Sequence, residues 1–184
     1  MSIQKYIILD RDGVINKDSA EHIKSPDEWM PIPRSLEAIR LLTENNFHIT
    51  VISNQSGINR GIISYKNFIG ISNKMHQEII DNGGKIDMFY YCPDTPTTKS
   101  KYRKPNPGMF LDFASRLGIL LEDCYSIGDS PRDIIASQKV GCKAIGVRTG
   151  NGKKIEENDD LLVPIFDDLF DAAKYVLELS LIHI

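Results

Sequence analysis

The sequence predicts an α/β fold in which a mainly parallel sheet lies between two layers of helices. Segments with the composition of strands alternate along the chain with segments that carry apolar residues at helical spacing. The strand-like segments are almost continuously apolar, as in residues 6–9, which is typical of strands that are covered on both faces. Polar residues directly follow several of these strands, at the edge where open parallel sheets bind their ligands.

The first half of the chain is expected to form three strands and two helices. In chain order these elements cover residues 5–9, 35–44, 47–52, 64–82 and 86–91. Apolar residues three apart between Leu36 and Leu42 indicate the first helix. Ser64 begins the second helix, and Gly83 ends it. Prolines interrupt residues 17–33, which are therefore expected to be irregular.

The second half of the chain is expected to alternate three helices with two strands. In chain order these elements cover residues 107–117, 124–127, 131–140, 143–147 and 167–179. Pro107 suits the first turn of a helix, and Gly118 and Gly141 end two of the helices. The apolar tail, residues 180–184, continues no predicted element. No segment is long enough for a cap domain, so residues 1–184 are expected to form a single domain with a three-layer, Rossmann-like sandwich.

Composition narrows the class of partner. The chain has 184 residues, enough for a proper core, and its formal net charge of −3 gives no general attraction to nucleic acid or to anionic membranes. It lacks a long apolar segment and a signal-peptide pattern, and its three cysteines do not suggest a disulfide framework. We therefore expect a cytoplasmic monomer that binds a small molecule, with no nucleic-acid or membrane partner.

Two carboxylates follow the first predicted strand. Asp10 and Asp12 are two residues apart, and Gly13 permits a turn that directs both side chains toward one point beyond the sheet. Such a pair suits a divalent cation beside a carboxylate nucleophile, or a solvated acidic turn. A calcium loop is disfavoured because the apolar Val14 stands at a ligand position.

Three further strand ends or helix starts carry groups suited to phosphate and metal. Ser53 and the loop after it can surround phosphate oxygens, although such a loop can also form only local turns. Lys104 leads into a helix, which suits an anion or a simple exposed basic turn. Asp129 follows a strand and would complete a magnesium site. Asp133, one helical turn later, would support that site or merely favour the start of the helix.

These motifs occur together in one order, and on them the chain is identified as a member of the haloacid dehalogenase-like hydrolases. The stretches LDRDGVIN, SNQSGINRG, YYCPDTP, RKPNPGM and IGDSPRD most resemble the D-glycero-D-manno-heptose 1,7-bisphosphate 7-phosphatases, which share ancestry with histidinol-phosphatases. The resemblance implies a magnesium-dependent phosphatase that removes the 7-phosphate of a phosphorylated sugar through an aspartyl phosphate. A phosphatase for histidinol phosphate or another small phosphomonoester is the alternative.

The resemblance also implies a role for each matching residue. Asp10 would be the nucleophile and a Mg²⁺ ligand, and Asp12 the general acid and base, with its main-chain carbonyl also touching Mg²⁺. Asp129 would bind Mg²⁺, while Ser53 and Lys104 would hold the phosphoryl group. The distal part of the substrate would meet Arg60 and Arg103. The remaining positions where the family contacts its sugar are Asp18, Glu21, Asn54, Gln55, Ser56 and Ser130.

The chain departs from that family at three places. The heptose enzymes usually carry a zinc loop rich in cysteine, but here only Cys92 remains, with Asp94, Ser100 and Tyr102 at the other ligand positions, so we expect no structural zinc. Glu21 changes the charge near the sugar. Ser130 stands where relatives often have a lysine, and the loss of that cation weakens the hold on an anionic substrate.

Two other classes of protein fit less well. A signalling receiver domain is also α/β, but it places its phosphate-accepting aspartate after the third strand, where this chain has Cys92 and Pro93. A catalytically silent sugar-phosphate binding subunit would not need every catalytic residue, and all of them are present.

Overall fold

The computed structural model describes residues 4–182 and contains one six-stranded sheet. All adjacent strands are parallel, in the order β3-β2-β1-β4-β5-β6. The strands are β1 (Lys5–Leu9), β2 (Phe47–Asn54), β3 (Met88–Cys92), β4 (Tyr125–Gly128), β5 (Lys143–Val147) and β6 (Ile165–Phe166). Within the described residues, no helix is long and apolar enough to cross a membrane.

Helices cover both faces of this sheet. They are α1 (Ser35–Glu44), α2 (Tyr65–Asp81), α3 (Gly108–Leu117), α4 (Pro131–Gln138), α5 (Lys153–Glu156) and α6 (Leu169–Ile182). Alternate residues of β1 explain the layers: Ile7 and Leu9 pack in a core with α1, α2 and α6, whereas Ile8 packs in a second core with α3 and α4. The predicted α/β class and its three layers are confirmed.

Local sequence accounts for several element ends. The Ser64 hydroxyl accepts a hydrogen bond from the Asn67 amide at 3.1 Å and so caps α2, as predicted. Gly118 ends α3 in the left-handed conformation, with φ of +65°.

The sequence patterns missed the smallest elements. β6 has only two residues and α5 only one turn, so neither carries a measurable hydrophobic period. Single 3-10 turns form at Pro26–Glu28 and Leu121–Asp123. The expectation that the tail continues no element is wrong as far as residue 182, because α6 extends to Ile182; residues 183–184 lie outside the described part.

The sheet order places β1 beside strands from both halves of the chain. From β1 the chain builds outward through β2 and β3 on one side and through β4, β5 and β6 on the other, which opens a crevice at the carboxyl end of β1. Leu9 is in register with both Val51 and Ile127, so the carboxyl ends of the three strands lie at the same edge of the sheet, with β2 extending three residues further than β1. Within the described residues, no separate cap domain lies between β1 and β3.

Candidate active site

The carboxyl ends of β1, β2 and β4 bring the predicted catalytic residues together. Asp10 follows β1, and its amide donates a hydrogen bond to the Ile127 carbonyl at 3.0 Å. Ser53 is the penultimate residue of β2, and Asp129 directly follows β4. All three residues are buried: Asp10 and Ser53 line one cleft, and Asp129 lies beside Asp10.

Three buried carboxylates meet at this point. One oxygen from each of Asp10, Asp129 and Asp133 lies within 4.8 Å of the other two. Burial raises the pKa of Asp129 to about 8, and the charges of Asp133 and Asp10 act in the same direction. Burial also raises the pKa of Asp10 to about 6, against the opposing charge of Lys104. Such a cluster needs protons or a cation to offset its charge.

The surroundings of Asp129 fit a divalent cation. Its Oδ2 accepts hydrogen bonds from the backbone amide of Asn151 at 2.8 Å and from the Asn151 side chain at 3.3 Å. Its Oδ1 is buried and has no hydrogen-bond partner among the described residues. A buried carboxylate oxygen left free beside two other carboxylates is suited to a hard cation such as Mg²⁺.

Two glycines make room for the Asp129 carboxylate. Gly13 and Gly150 both have positive φ, +81° and +60°. A Cβ atom at either position would lie 2.1 Å from Asp129 Oδ2. The loops after β1 and β5 therefore enclose this side chain closely enough that only glycine fits.

Lys104 supplies the cation that faces the carboxylates. Its Nζ lies 3.1 Å from Asp10 Oδ1 and 2.7 Å from Asp133 Oδ1, and it donates a hydrogen bond to the Ile52 carbonyl at 2.7 Å. Burial alone would lower the pKa of Lys104, but Asp10 and Asp133 raise it above its ordinary value. Lys104 is therefore charged although only 3% of it is exposed.

Asn54 fixes the backbone of Lys104 from the end of β2. Its side-chain amide donates to the Lys104 carbonyl at 3.0 Å, and its side-chain oxygen accepts from the Lys104 amide at 3.0 Å. Both ends of the Asn54 side chain are thus used inside the protein. Asn54 also lines the cleft, so its predicted contact with the sugar stays a prediction beside its hydrogen bonds to Lys104.

The carboxylate of Asp12 is held by four hydrogen bonds. Arg11 donates from Nε at 3.0 Å and from a terminal nitrogen at 2.9 Å, Asn16 donates at 2.9 Å, and Gln55 donates at 2.8 Å. Burial would raise the pKa of Asp12, but the charge of Arg11 and these hydrogen bonds outweigh it and hold that pKa below its ordinary value. Asp12 is therefore ionised and in place to accept a proton.

Gln55 connects the Asp12 carboxylate to Ser53. Its Nε2 donates both to Asp12 and, at 2.9 Å, to the Ser53 hydroxyl, while its Oε1 accepts from Arg11 at 3.0 Å. These contacts leave the Gln55 amide fully engaged within the protein. It lines the cleft, but its hydrogen bonds orient Asp12 and Ser53.

Asp133 both begins α4 and reaches the site, so the two interpretations left open by the sequence both apply. It forms a capping box with Ser130, whose backbone amide and hydroxyl both donate to Asp133 Oδ2. Its other carboxylate oxygen is the one paired with Lys104. The hydroxyl of Ser130, a predicted sugar contact, is thereby directed at Asp133.

Most of the other predicted substrate contacts line the cleft, and two do not. Asp18, Ser56 and Arg103 are part of its wall, which also includes Ser19, His22, Ile23 and Arg132. Glu21 lies outside this wall, with 86% of its side chain exposed and the Lys24 ammonium 3.9 Å away. Arg60 is also exposed and does not line the cleft.

The loop that replaces the expected zinc site is ordered by hydrogen bonds. The Ser100 hydroxyl accepts from the Tyr102 and Arg103 amides at 3.2 and 3.3 Å, and Cys92 Sγ lies 3.7 Å from it. The Arg103 guanidinium donates to the Asp94 carbonyl at 2.9 Å. The loop thus places Arg103 at the wall of the cleft.

Four residues at the site were not predicted: Arg11, Asn16, Asn151 and Arg132. Asn151 was accessible to sequence reasoning, because the loop after β5 must lie at the same sheet edge as Asp10 and Asp129. Arg132 was visible as a second cation next to Asp133. Nothing in the local sequence indicates that Arg11 and Asn16 turn back onto Asp12.

Comparisons with known proteins agree with this geometry. A family model described as "HAD-hyrolase-like" matches residues 101–172. The D-glycero-β-D-manno-heptose-1,7-bisphosphate 7-phosphatase of Bordetella bronchiseptica is 43% identical over 82% of this chain and 84% of its own length. The enzyme of the same name from Neisseria meningitidis serogroup A is 38% identical over 95% of each chain.

The solved structures include a similar chain with ligands. The crystal structure of D,D-heptose 1,7-bisphosphate phosphatase from B. bronchiseptica, complexed with magnesium and phosphate, has a TM-score of 0.91 and 40% sequence identity, covering 95% of this chain and 98% of that chain. Full-length similarity of sequence and fold, together with the carboxylate cluster, shows that this chain is a phosphatase and belongs to the D-glycero-β-D-manno-heptose-1,7-bisphosphate 7-phosphatase family of haloacid dehalogenase-like hydrolases.

Proposed function

We propose that this protein removes the 7-phosphate of D-glycero-D-manno-heptose 1,7-bisphosphate, with Mg²⁺ as cofactor. The observation that carries the proposal is the buried cluster at the switch point of the sheet, in which Asp10 lies near Asp129 and forms an ion pair with Lys104. Relatives that carry this name and the magnesium and phosphate complex of the B. bronchiseptica enzyme support it.

The carboxylates fit the cofactor. Asp10 and Asp129 would hold Mg²⁺ together with the main-chain carbonyl of Asp12, and Asp133 would support them through Lys104. When bound, Mg²⁺ offsets negative charge on the phosphoryl group and on the nucleophile. Lys104, which is buried beside Asp10, supplies positive charge to the phosphoryl group, and Ser53 offers its hydroxyl to a phosphoryl oxygen.

The reaction proceeds in two steps on Asp10. An Asp10 oxygen attacks phosphorus in line, the bond from phosphorus to the sugar oxygen breaks, and Asp12 gives its proton to that leaving oxygen. Water then attacks the aspartyl phosphate while Asp12 takes a proton from it, which releases phosphate and restores Asp10.

The hydrogen bonds on Asp12 bear on these two roles differently. As a base, the ionised carboxylate is ready without rearrangement. As an acid, Asp12 must carry a proton, which requires the bound substrate to displace part of the contact with Arg11 and Gln55. Gln55 bonds to both Ser53 and Asp12, so a phosphate bound at Ser53 would bear directly on this contact.

The nucleophile is tested by Asp10→Asn. Turnover should fall by at least about 10³-fold, because an amide does not attack phosphorus. The fold should persist, since the change removes one of three mutually repelling carboxylates. Asp112→Asn, at an exposed ion pair on α3, is the matched control and should keep full activity. Substantial magnesium-dependent hydrolysis by Asp10→Asn contradicts the assignment.

The substrate is tested by comparing turnover of heptose 1,7-bisphosphate, histidinol phosphate and an aryl phosphate. We expect kcat/KM to be highest for the heptose bisphosphate. Preference for histidinol phosphate would instead assign the chain to the alternative reaction.

The loop at residues 93–103 is proposed to hold no structural zinc. Burial raises the pKa of the Cys92 thiol, whereas zinc requires a thiolate. Asp94 and Ser100 occupy the space around its sulfur at 3.6 and 3.7 Å. Elemental analysis of the purified protein should find no stoichiometric zinc, and one zinc per chain would refute this proposal.

A further inference from the structure

The eight arginines of the chain divide into two groups by their ion pairs. Five have a carboxylate oxygen within 4.0 Å: Arg11, Arg34, Arg40, Arg116 and Arg148. Within residues 4–182, the other three have no such partner: Arg60, Arg103 and Arg132.

Two of the three unpaired arginines line the cleft, and Arg60 lies near one of them. Arg103 and Arg132 both belong to its wall. Burial lowers the pKa of Arg103, and the charges of Arg132 and then Arg60 lower it further, so both of these arginines lie close enough to act on Arg103. Arg103 and Arg132 face one cleft, and neither has a carboxylate oxygen of a described residue within 4.0 Å, so an anion that enters the cleft can bind both guanidinium groups.

Arg132 is also unfavourably placed within its own helix. It is the second residue of α4, where the helix dipole favours negative charge. Arg132 is exposed and makes no hydrogen bond to any described residue, so its donors are free for a ligand. Partial burial would lower its pKa, but the charges of Asp133, Asp10 and Asp129 outweigh this effect and raise that pKa. The next residue, Asp133, forms an ion pair with Lys104, which holds the first turn of α4 beside the reaction centre.

We propose that Arg132 is a specificity-determining residue that holds the second, non-reacting phosphate of a sugar bisphosphate, together with Arg103 and Arg60. This inference rests on the proposed function, which places the reacting phosphate at Asp10 and Lys104. A planar guanidinium offers paired donors to phosphate oxygens, so the three side chains form a recognition site for a dianion.

The test is the kinetics of Arg132→Gln with two substrates that differ only in the second phosphate, heptose 1,7-bisphosphate and heptose 7-phosphate. For the bisphosphate we expect KM to rise about 10- to 100-fold with little change in kcat, as for the loss of a charged hydrogen-bonded contact made equally in the ground and transition states. For the monophosphate, kcat/KM should change by less than about threefold. Arg132→Lys should lose less than Arg132→Gln with the bisphosphate.

Salt supplies an independent measurement. KM of the unaltered protein for the bisphosphate should rise with ionic strength, and this dependence should be weaker in Arg132→Gln, because the contact lies at an exposed rim. Arg116→Gln, at the exposed pair with Asp112, is the matched control and should leave both substrates and the salt dependence unchanged. Thermal unfolding shows that each variant is folded, and Arg132→Lys provides the test if Arg132→Gln is not.

Two outcomes overturn the inference alone. An equal loss with both substrates would mean that Arg132 acts on the reacting phosphate or on the fold, and an unchanged KM for the bisphosphate would mean that it does not touch the substrate. The unaltered protein reports separately on the proposed function: if it does not prefer the bisphosphate to the monophosphate, both fail.

Discussion

At the scale of single residues, the site depends on buried charges that compensate one another. Lys104 is shared between Asp10 and Asp133, and Asp129 keeps one oxygen without a hydrogen bond. Three carboxylates against one lysine leave an excess of negative charge in a buried place. A divalent cation completes the balance, which is why metal binding and stability should be linked in this protein.

This linkage predicts how stability depends on pH. Burial raises the pKa of Asp129 from 3.8 to about 8 and that of Asp10 to about 6. A carboxyl with a higher pKa in the folded chain holds its proton more tightly when folded, so the free energy of unfolding falls as pH rises between the two values. We therefore expect the metal-free protein to lose stability from about pH 4 to about pH 8.

Urea unfolding in the presence of a chelator measures this effect. Added Mg²⁺ should remove most of the loss at the upper end of the range, and Asp129→Asn should weaken the pH dependence. Stability that increases over the same range without metal would contradict the expected charge balance.

The residues that sequence alone identified share one property. Asp10, Ser53 and Asp129 follow strands, and the carboxyl ends of parallel strands meet by geometry, so their convergence could be predicted. The partners of Asp12 could not, because Arg11 and Asn16 reach it only through the turn that follows β1. Gln55 lines the cleft, but whether an amide faces the substrate or the protein depends on contacts with residues more than 40 positions away in the chain.

At the scale of elements, the loops after β1 and β5 form a close-fitting wall around Asp129. Gly150→Ala would bring a methyl group onto Asp129 Oδ2 and shift this carboxylate. We expect activity at limiting Mg²⁺ to fall by on the order of 100-fold, because a misplaced ligand disturbs both cation and substrate. A Mg²⁺ titration of activity measures the change.

Gly118→Ala is the matched control for this substitution. Gly118 has a φ of +65°, close to the +60° of Gly150, but a Cβ there meets nothing within 4 Å. It should cost about 1–2 kcal/mol of stability from backbone strain and leave the Mg²⁺ dependence unchanged. If both alanine variants lost Mg²⁺ affinity equally, the close fit around Asp129 would not be the cause.

Helices and strands differed in how accurately they could be predicted from their own sequences. α2 has seventeen residues with four buried apolar side chains on one face and a serine cap, and it was predicted within a residue or two. β6 pairs with β5 through only two residues and is defined by its neighbour rather than by its own sequence. Tertiary contact decides such short elements, so local patterns do not reveal them.

At the scale of the whole molecule, two cores on opposite faces share one sheet. We propose that residues 1–184 form a single cooperative domain, and we predict one unfolding transition. Trp29 is the only tryptophan, is fully buried, and packs in the core with α1, α2 and α6, so its fluorescence reports on that face. Far-UV circular dichroism reports on both faces, and the two midpoints should coincide. If the two midpoints differed, the two faces of the sheet would unfold independently and the chain would not be a single cooperative domain.

The central position of β1 in the sheet has a consequence for how such enzymes diversify. On one side of β1, β2 positions the Ser53 hydroxyl, and on the other side β4 positions Asp129. The sheet itself therefore fixes the relative positions of these groups. The rim of the cleft is built from separate loops that connect the strands to the helices. Substitutions in those loops can therefore change the substrate over evolutionary time while the catalytic residues stay aligned on the sheet.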